Sequence, residues 1–93
     1  MDAIEILKIY KKELENKFGL KEIGVFGSFA RGTESMTSDV DILVEFEKPV
    51  NLFEFIEVKF FLENLFGRTV DLVTKDALKP RLRDRILNEV VYV

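Results

Sequence analysis

Asp39 and Asp41 stand two residues apart. On a strand that spacing sends both carboxylates out of one face. They would repel each other there unless a cation lay between them, and hard oxygen ligands of this kind suit Mg²⁺ with waters and phosphate oxygens filling its shell. Asp71 has the same parity on a later strand-like run. If that strand neighbours the one bearing Asp39 and Asp41, three carboxylates converge, enough to hold two metal ions about 4 Å apart and to polarise the attacking and leaving oxygens of a phosphoryl-type transfer. In such a scheme Asp71 is nearest the acceptor hydroxyl and can take its proton.

Upstream, Gly27-Ser28 supplies the other half of a nucleotide site. The glycine permits a tight turn after a strand, the helical start beyond it points N–H groups at an anion, and the Ser28 hydroxyl adds a donor. Arg31, on the same turn, can neutralise phosphate charge or equally pair with a nearby Asp or Glu. Taken singly, a D-x-D is ordinarily a solvated strand edge and a Gly-Ser turn only a turn. Linked as strand, Gly-Ser, ten residues, D-x-D strand and a third Asp-bearing strand, they make a constellation that chance seldom assembles.

Composition narrows the chemistry further. The chain has 93 residues with no cysteine and no histidine, which excludes thiolate and imidazole catalysis and His- or Cys-ligated zinc, leaving carboxylates, hydroxyls, Lys and Arg. A net charge of −3 lacks the basic excess that grips a nucleic-acid backbone, so long nucleic acid is not the expected partner. Residues 1–10 lack a basic lead and apolar block, and no run approaches the ~20 apolar residues that cross a bilayer. The expectation is a cytoplasmic protein, with residues 1–93 forming one domain and no membrane contact.

The elements that must position these groups are well signposted. Asp2 and Glu5 have capping-box spacing ahead of a helix over 3–18, with Gly19 as its stop. Ile23, Val25 and Phe26 make a first strand, 28–31 a helical turn closed by Gly32, and 33–38 a polar loop. Val40, Ile42, Val44 and Phe46 alternate with Asp39, Asp41, Leu43 and Glu45, predicting a second strand with one buried face. Asn51 and Glu54 open a helix over 52–66 that Gly67 ends. Residues 69–73 form a third strand, and Thr74 or Asp76 is placed to cap a last helix. Pro80 suits the first turn of that helix, which runs to about Glu89, and 90–93 is a β-prone tail.

The 52–66 helix carries two apolar faces, one of Leu52, Phe53, Ile56 and Phe60 and another of Phe55, Val58, Leu62, Leu65 and Phe66. One covers the sheet. The second is expected to be partly exposed, for a partner or for self-association through this helix, with charged substitutions at Phe55 and Leu62 weakening that contact; a single broad core face is the plain alternative. Lys75, Lys79, Arg81, Arg83 and Arg85 form a basic segment that reads first as a solvated helix face and second as an approach for triphosphate or an acidic partner. Tyr10 and Tyr92 read as packing residues.

With these residues in place, Gly27-Ser28, ten residues, Asp39-x-Asp41 resembles the signature of the DNA polymerase β-type nucleotidyltransferase superfamily. The Val25-Phe26-Gly27-Ser28-Phe29-Ala30-Arg31-Gly32 wording and short length resemble its minimal nucleotidyltransferase (MNT) branch, over nearly the whole chain. The resemblance implies an α/β (α+β) fold, a small mixed sheet of three or four strands flanked by helices, drawn with its helices on one side. It implies Asp39, Asp41 and Asp71 as ligands of two Mg²⁺, and Gly27, Ser28 and Arg31 about the triphosphate of ATP. AMP passes to a hydroxyl, and members of the branch are commonly paired with a HEPN-domain toxin whose tyrosine some of them adenylylate. Two other readings stay open: a module that neutralises such a toxin by docking, and a small-molecule (antibiotic) transferase, for which no acceptor domain is visible. Phe29 stands where an arginine is frequent and Met36-Thr37 where a proline often precedes Ser-Asp; neither alters the carboxylates.

Overall fold

The computed structural model describes residues 2–93; Met1 lies outside them. In order the elements are α1 (Ala3–Phe18), β1 (Leu20–Phe26), α2 (Ser28–Arg31), β2 (Val40–Phe46), α3 (Leu52–Phe66), β3 (Val70–Thr74), a 3-10 turn (Lys75–Ala77), α4 (Pro80–Glu89) and β4 (Val91–Tyr92). Helix boundaries obey local chemistry. The Asp2 carboxylate accepts the Glu5 N–H at 2.8 Å, and at α3 the box is reciprocal, Glu54 N–H to Asn51 Oδ1 at 2.9 Å and Asn51 N–H to Glu54 Oε1 at 3.2 Å. Gly19 and Gly67 close α1 and α3, their N–H groups donating to Glu15 and Glu63 carbonyls. Thr74 and Asp76 do not cap α4: the 3-10 turn intervenes, and the helix starts at Lys79 with Pro80 at its first position.

The sheet runs β3-β2-β1-β4. β1 is antiparallel to β2 and to β4, while β2 and β3 are parallel, joined through α3. This is the mixed sheet flanked by helices that the sequence led us to expect. Two-residue periodicity divides it cleanly. Ile23, Val25, Val40, Ile42, Val44, Val70 and Leu72 form one cluster with Ala3, Leu7 and Leu14 of α1 and Val58 and Leu62 of α3. Each fully buried Leu or Val contributes on the order of 2 kcal/mol through apolar area removed from water. Rings of Phe18 and Phe61 meet edge-on between α1 and α3, centroids 5.4 Å apart.

Three further expectations change. The helices are not all on one side: α1 and α3 share the core face, while α4 lines a cleft on the opposite, carboxylate-bearing face. Leu43, expected on the open side of β2, is fully buried, because the tail folds over that face: a β-carbon at its neighbour Gly24 would stand 2.7 Å from Val90 Cγ2. On α3 the two apolar faces exchange roles. Val58 and Leu62 are buried, with Phe55, Leu65 and Phe66 packed beside them, whereas Leu52 and Phe53 are 69% and 78% exposed and Phe60 57%. Periodicity locates two stripes but does not say which meets the sheet; the stripe that also reaches α1 wins. Among the described residues no helix is long and apolar enough to cross a membrane.

Candidate active site

At the end of β1 the chain turns on Gly27, which has φ 72° and ψ −151°, a conformation that L side chains rarely adopt. Space is equally restrictive: a β-carbon there would lie 2.0 Å from Asp41 Oδ2. The Ala30 and Arg31 N–H groups return to the Gly27 carbonyl, each at 3.1 Å, winding α2 and directing Arg31 back toward the sheet. Its guanidinium forms an ion pair with Glu89, the last residue of α4.

Loop 33–39 then carries the chain to Asp39. A single guanidinium nitrogen of Arg68, Nη1, donates to the carbonyls of Ser35, Met36 and Ser38 at 2.9, 3.3 and 3.0 Å. The same guanidinium lies 5.1 Å from the Phe29 ring centroid, and the Val40 N–H donates to Thr69 at 3.0 Å. The connection between α3 and β3 therefore clamps the loop that delivers Asp39 to the turn that carries Ser28.

Asp41 and Asp71 are direct partners in the parallel β2–β3 ladder, and Phe26 partners Asp41 from the other side. Residues paired in register share a face, so both carboxylates rise from the side away from the core. A cleft of about 480 Å³ opens above them, lined among others by Gly27, Arg31, Asp41, Asp71 and Glu89. Burial foremost, then the charges of Asp71, Asp39 and Glu89, push the Asp41 carboxyl from 3.8 up to about 6, with Arg31 opposing.

Of the six residues singled out from sequence, Gly27, Arg31, Asp41 and Asp71 meet in this cleft. Ser28, half-buried, and Asp39, exposed, border it without lining it; the pull of Asp39 on Asp41 is through charge. Of the basic segment, Lys79 and Arg85 line the cleft, whereas Lys75 points away to Glu22 at 3.2 Å and Arg83 donates to the Lys75 carbonyl at 3.2 Å. Glu89 and Arg68 were not foreseen. Glu89 lies 58 residues from its partner, and nothing local to either residue marks the pairing.

The oxygen-only donor set suits a hard divalent cation, and the burial and, after it, the carboxylate repulsion that raise Asp41 are costs that a bound cation offsets. Among the described residues no three acidic side chains form a ready-made ion cage. Two facing carboxylates leave most of an ion's shell to water and phosphate oxygens, an arrangement that Mg²⁺ tolerates.

Residues 7–93 match the family model described as a nucleotidyltransferase domain. This chain belongs to the nucleotidyltransferase domain family. The domain is 53% identical over 94 residues to the protein adenylyltransferase MntA of Thermococcus cleftensis, spanning 100% of this chain and 95% of that protein. It superposes on a solved candidate minimal nucleotidyltransferase with TM-score 0.80 at 36% identity, covering 98% and 95% of the two chains. The fold also matches, with TM-score 0.69 at 21% identity and covering 99% and 71% of the two chains, a Shewanella oneidensis structure of a tri-AMPylated HEPN toxin in complex with its MNT antitoxin. In this nucleotidyltransferase domain the Gly27 turn, Asp41 and Asp71 of β2 and β3, and α4 line the one cleft described above.

Proposed function

We propose that this nucleotidyltransferase domain transfers AMP from ATP to a hydroxyl on a HEPN-type toxin and thereby serves as the antitoxin of a toxin–antitoxin pair. The observation that carries the reading is the in-register Asp41–Asp71 pair rising into a cleft beside the Gly27 turn. The identity to MntA of Thermococcus cleftensis over the full chain supports protein adenylylation, and the fold shared with an MNT antitoxin bound to its HEPN toxin supports the partner.

In this reading Gly27, Ser28 and Arg31 hold the triphosphate, through backbone N–H groups, a hydroxyl and a guanidinium. Asp41 and Asp71, with Asp39 at the border of the cleft, would hold two Mg²⁺, and the ions would supply charge neutralisation for the transferred phosphate and its leaving group. Asp71, exposed at the open side of the pair, accepts the acceptor's proton. The acceptor oxygen bonds to the α-phosphorus as the bond to the β-phosphate bridge breaks, and pyrophosphate leaves with that electron pair. The cytoplasm supplies ATP and Mg²⁺.

A second reading, neutralisation by docking alone, draws on the exposed Leu52, Phe53 and Phe60 of α3, an apolar surface left uncovered among the described residues. Labelled ATP, Mg²⁺ and the partner separate the two. Label should pass to the partner with the wild type and not with Asp39→Ala plus Asp41→Ala. Failure of the wild type to transfer, with the double variant still neutralising the partner, would establish docking instead.

A further inference from the structure

Past Asp71 the cleft changes character. Val73 of β3, Leu78, and Leu82 and Ile86 of α4 line it. Leu82 and Ile86 are four residues apart and so project from one side of the helix. Yet no residue of α4 is buried, and Leu82 is 39% exposed. A helix packed on a sheet ordinarily consumes its apolar stripe; this one leaves it facing an open space that also holds carboxylates and an arginine.

We infer that this wall seats the nucleobase of the nucleoside triphosphate, making α4 the base-binding element. The inference rests on the nucleotidyl-transfer reading above and assigns the part of the substrate that reading left unplaced. Four observations favour this occupant. The wall is continuous with the Gly27–Arg31 end of the same cleft. From Glu89, paired with Arg31, back to Leu82 is about 10 Å along a helix at ~1.5 Å per residue, the scale of a nucleoside monophosphate. The cleft volume of about 480 Å³ is that of a small-molecule site rather than of a protein-sized groove. Finally Arg31, Lys79 and Arg85 line the cleft together with Asp41, Asp71 and Glu89, so its charges balance until a divalent cation joins the carboxylates, and the cleft then complements a polyphosphate rather than a neutral acceptor.

The chemistry of the wall also limits how the base is held. Among the described residues lining the cleft there is no Asn, Gln, Ser or Thr, so side-chain amides and hydroxyls do not read the edge of the ring. What Val73, Leu78, Leu82 and Ile86 offer the ring is apolar contact with its faces, and any polar contact to its edge falls to the charged Lys79 and Arg85 or to backbone groups.

Titration calorimetry of the full chain, with no acceptor protein present so that no transfer occurs, tests this with two probes: the ATP analogue AMP-PNP and inorganic tripolyphosphate, both with Mg²⁺. With Leu82→Ala plus Ile86→Ala, AMP-PNP affinity should fall about tenfold or more while tripolyphosphate affinity moves less than twofold. Leu82→Phe, which keeps an apolar surface, should retain AMP-PNP binding. Equal loss of both probes, or unchanged AMP-PNP affinity, overturns the assignment; unchanged AMP-PNP affinity with lost transfer to the partner would give the wall to the acceptor. If the wild type binds neither probe, the nucleotidyl-transfer reading fails and the base site falls with it, a result distinct from the others.

Discussion

Gly27 and Asp41 occupy interlocking space: a β-carbon on the first would stand 2.0 Å from a carboxylate oxygen of the second. The turn and the carboxylate are one unit. Gly27→Ala must therefore both strain a backbone at φ 72°, on the order of 1–3 kcal/mol, and evict Asp41 from its position. The expected result is a melting temperature lowered by several degrees and AMP transfer reduced at least a hundredfold. Wild-type transfer by this variant, measured with labelled ATP, would show that Asp41 does not need its present place.

Asp41 also gives the protein a pH signature. Its folded-state pKa is raised, from 3.8 to about 6, so the folded form binds this proton more tightly than the unfolded chain. The stabilisation it brings is complete below about pH 3.8 and is lost as pH rises through about 6. In EDTA, Asp41→Asn should therefore melt higher than wild type at pH 7.5, by about 1 kcal/mol once solvent screening of a half-buried group is allowed for. The difference should vanish near pH 4. Mg²⁺ should raise the melting temperature of the wild type at pH 7.5 and barely move that of the variant. A variant less stable than wild type at pH 7.5 would contradict the sign.

The Arg31–Glu89 pair is too solvated to matter much for folding, with Arg31 46% exposed, and such pairs contribute at most about 1 kcal/mol. Its effect is expected in catalysis. Arg31→Ala should raise the KM for ATP about tenfold, with a smaller change in kcat. Glu89→Gln should lower that KM severalfold, since it removes a negative charge from the cleft and frees the guanidinium. Steady-state kinetics that move both variants in the same direction would refute a phosphate role for Arg31.

On α3, the exchanged faces separate docking from folding. Leu62, fully buried, should cost about 2–5 kcal/mol as Leu62→Ala. Phe53→Asp plus Phe60→Asp should leave the melting temperature within about 2 °C and weaken capture of the partner, or of a second copy of the chain, at least tenfold. Intact capture and unchanged elution on size-exclusion chromatography would remove this face from any interface.

Much of this was legible in the sequence where the determinants are local. Asp2, Asn51 with Glu54, Gly19 and Gly67 act within a turn of themselves, so the α1 and α3 boundaries could be read directly. The parity that unites Asp41 with Asp71 is local too, needing only adjacency of β2 and β3, which the parallel ladder supplies. What escaped depends on distant segments. Leu43 is buried by a tail that folds over Gly24, Glu89 finds Arg31 across 58 residues, and Arg68 collects carbonyls some 30 residues earlier in the chain. The choice between the two apolar stripes of α3 likewise needed the position of α1. Periodicity ranks the stripes by size and cannot see their neighbours.

The β2–β3 ladder has one more consequence. Because Asp71 alternates with the core residues Val70 and Leu72, a slip of one residue in β3 would not yield a folded protein with a weakened site. It would press a carboxylate against α1 and α3 and send two core side chains into the cleft. Correct assembly of the sheet and presence of the carboxylate pair are thus the same event, and chains that misregister are marked by instability rather than persisting as inactive copies.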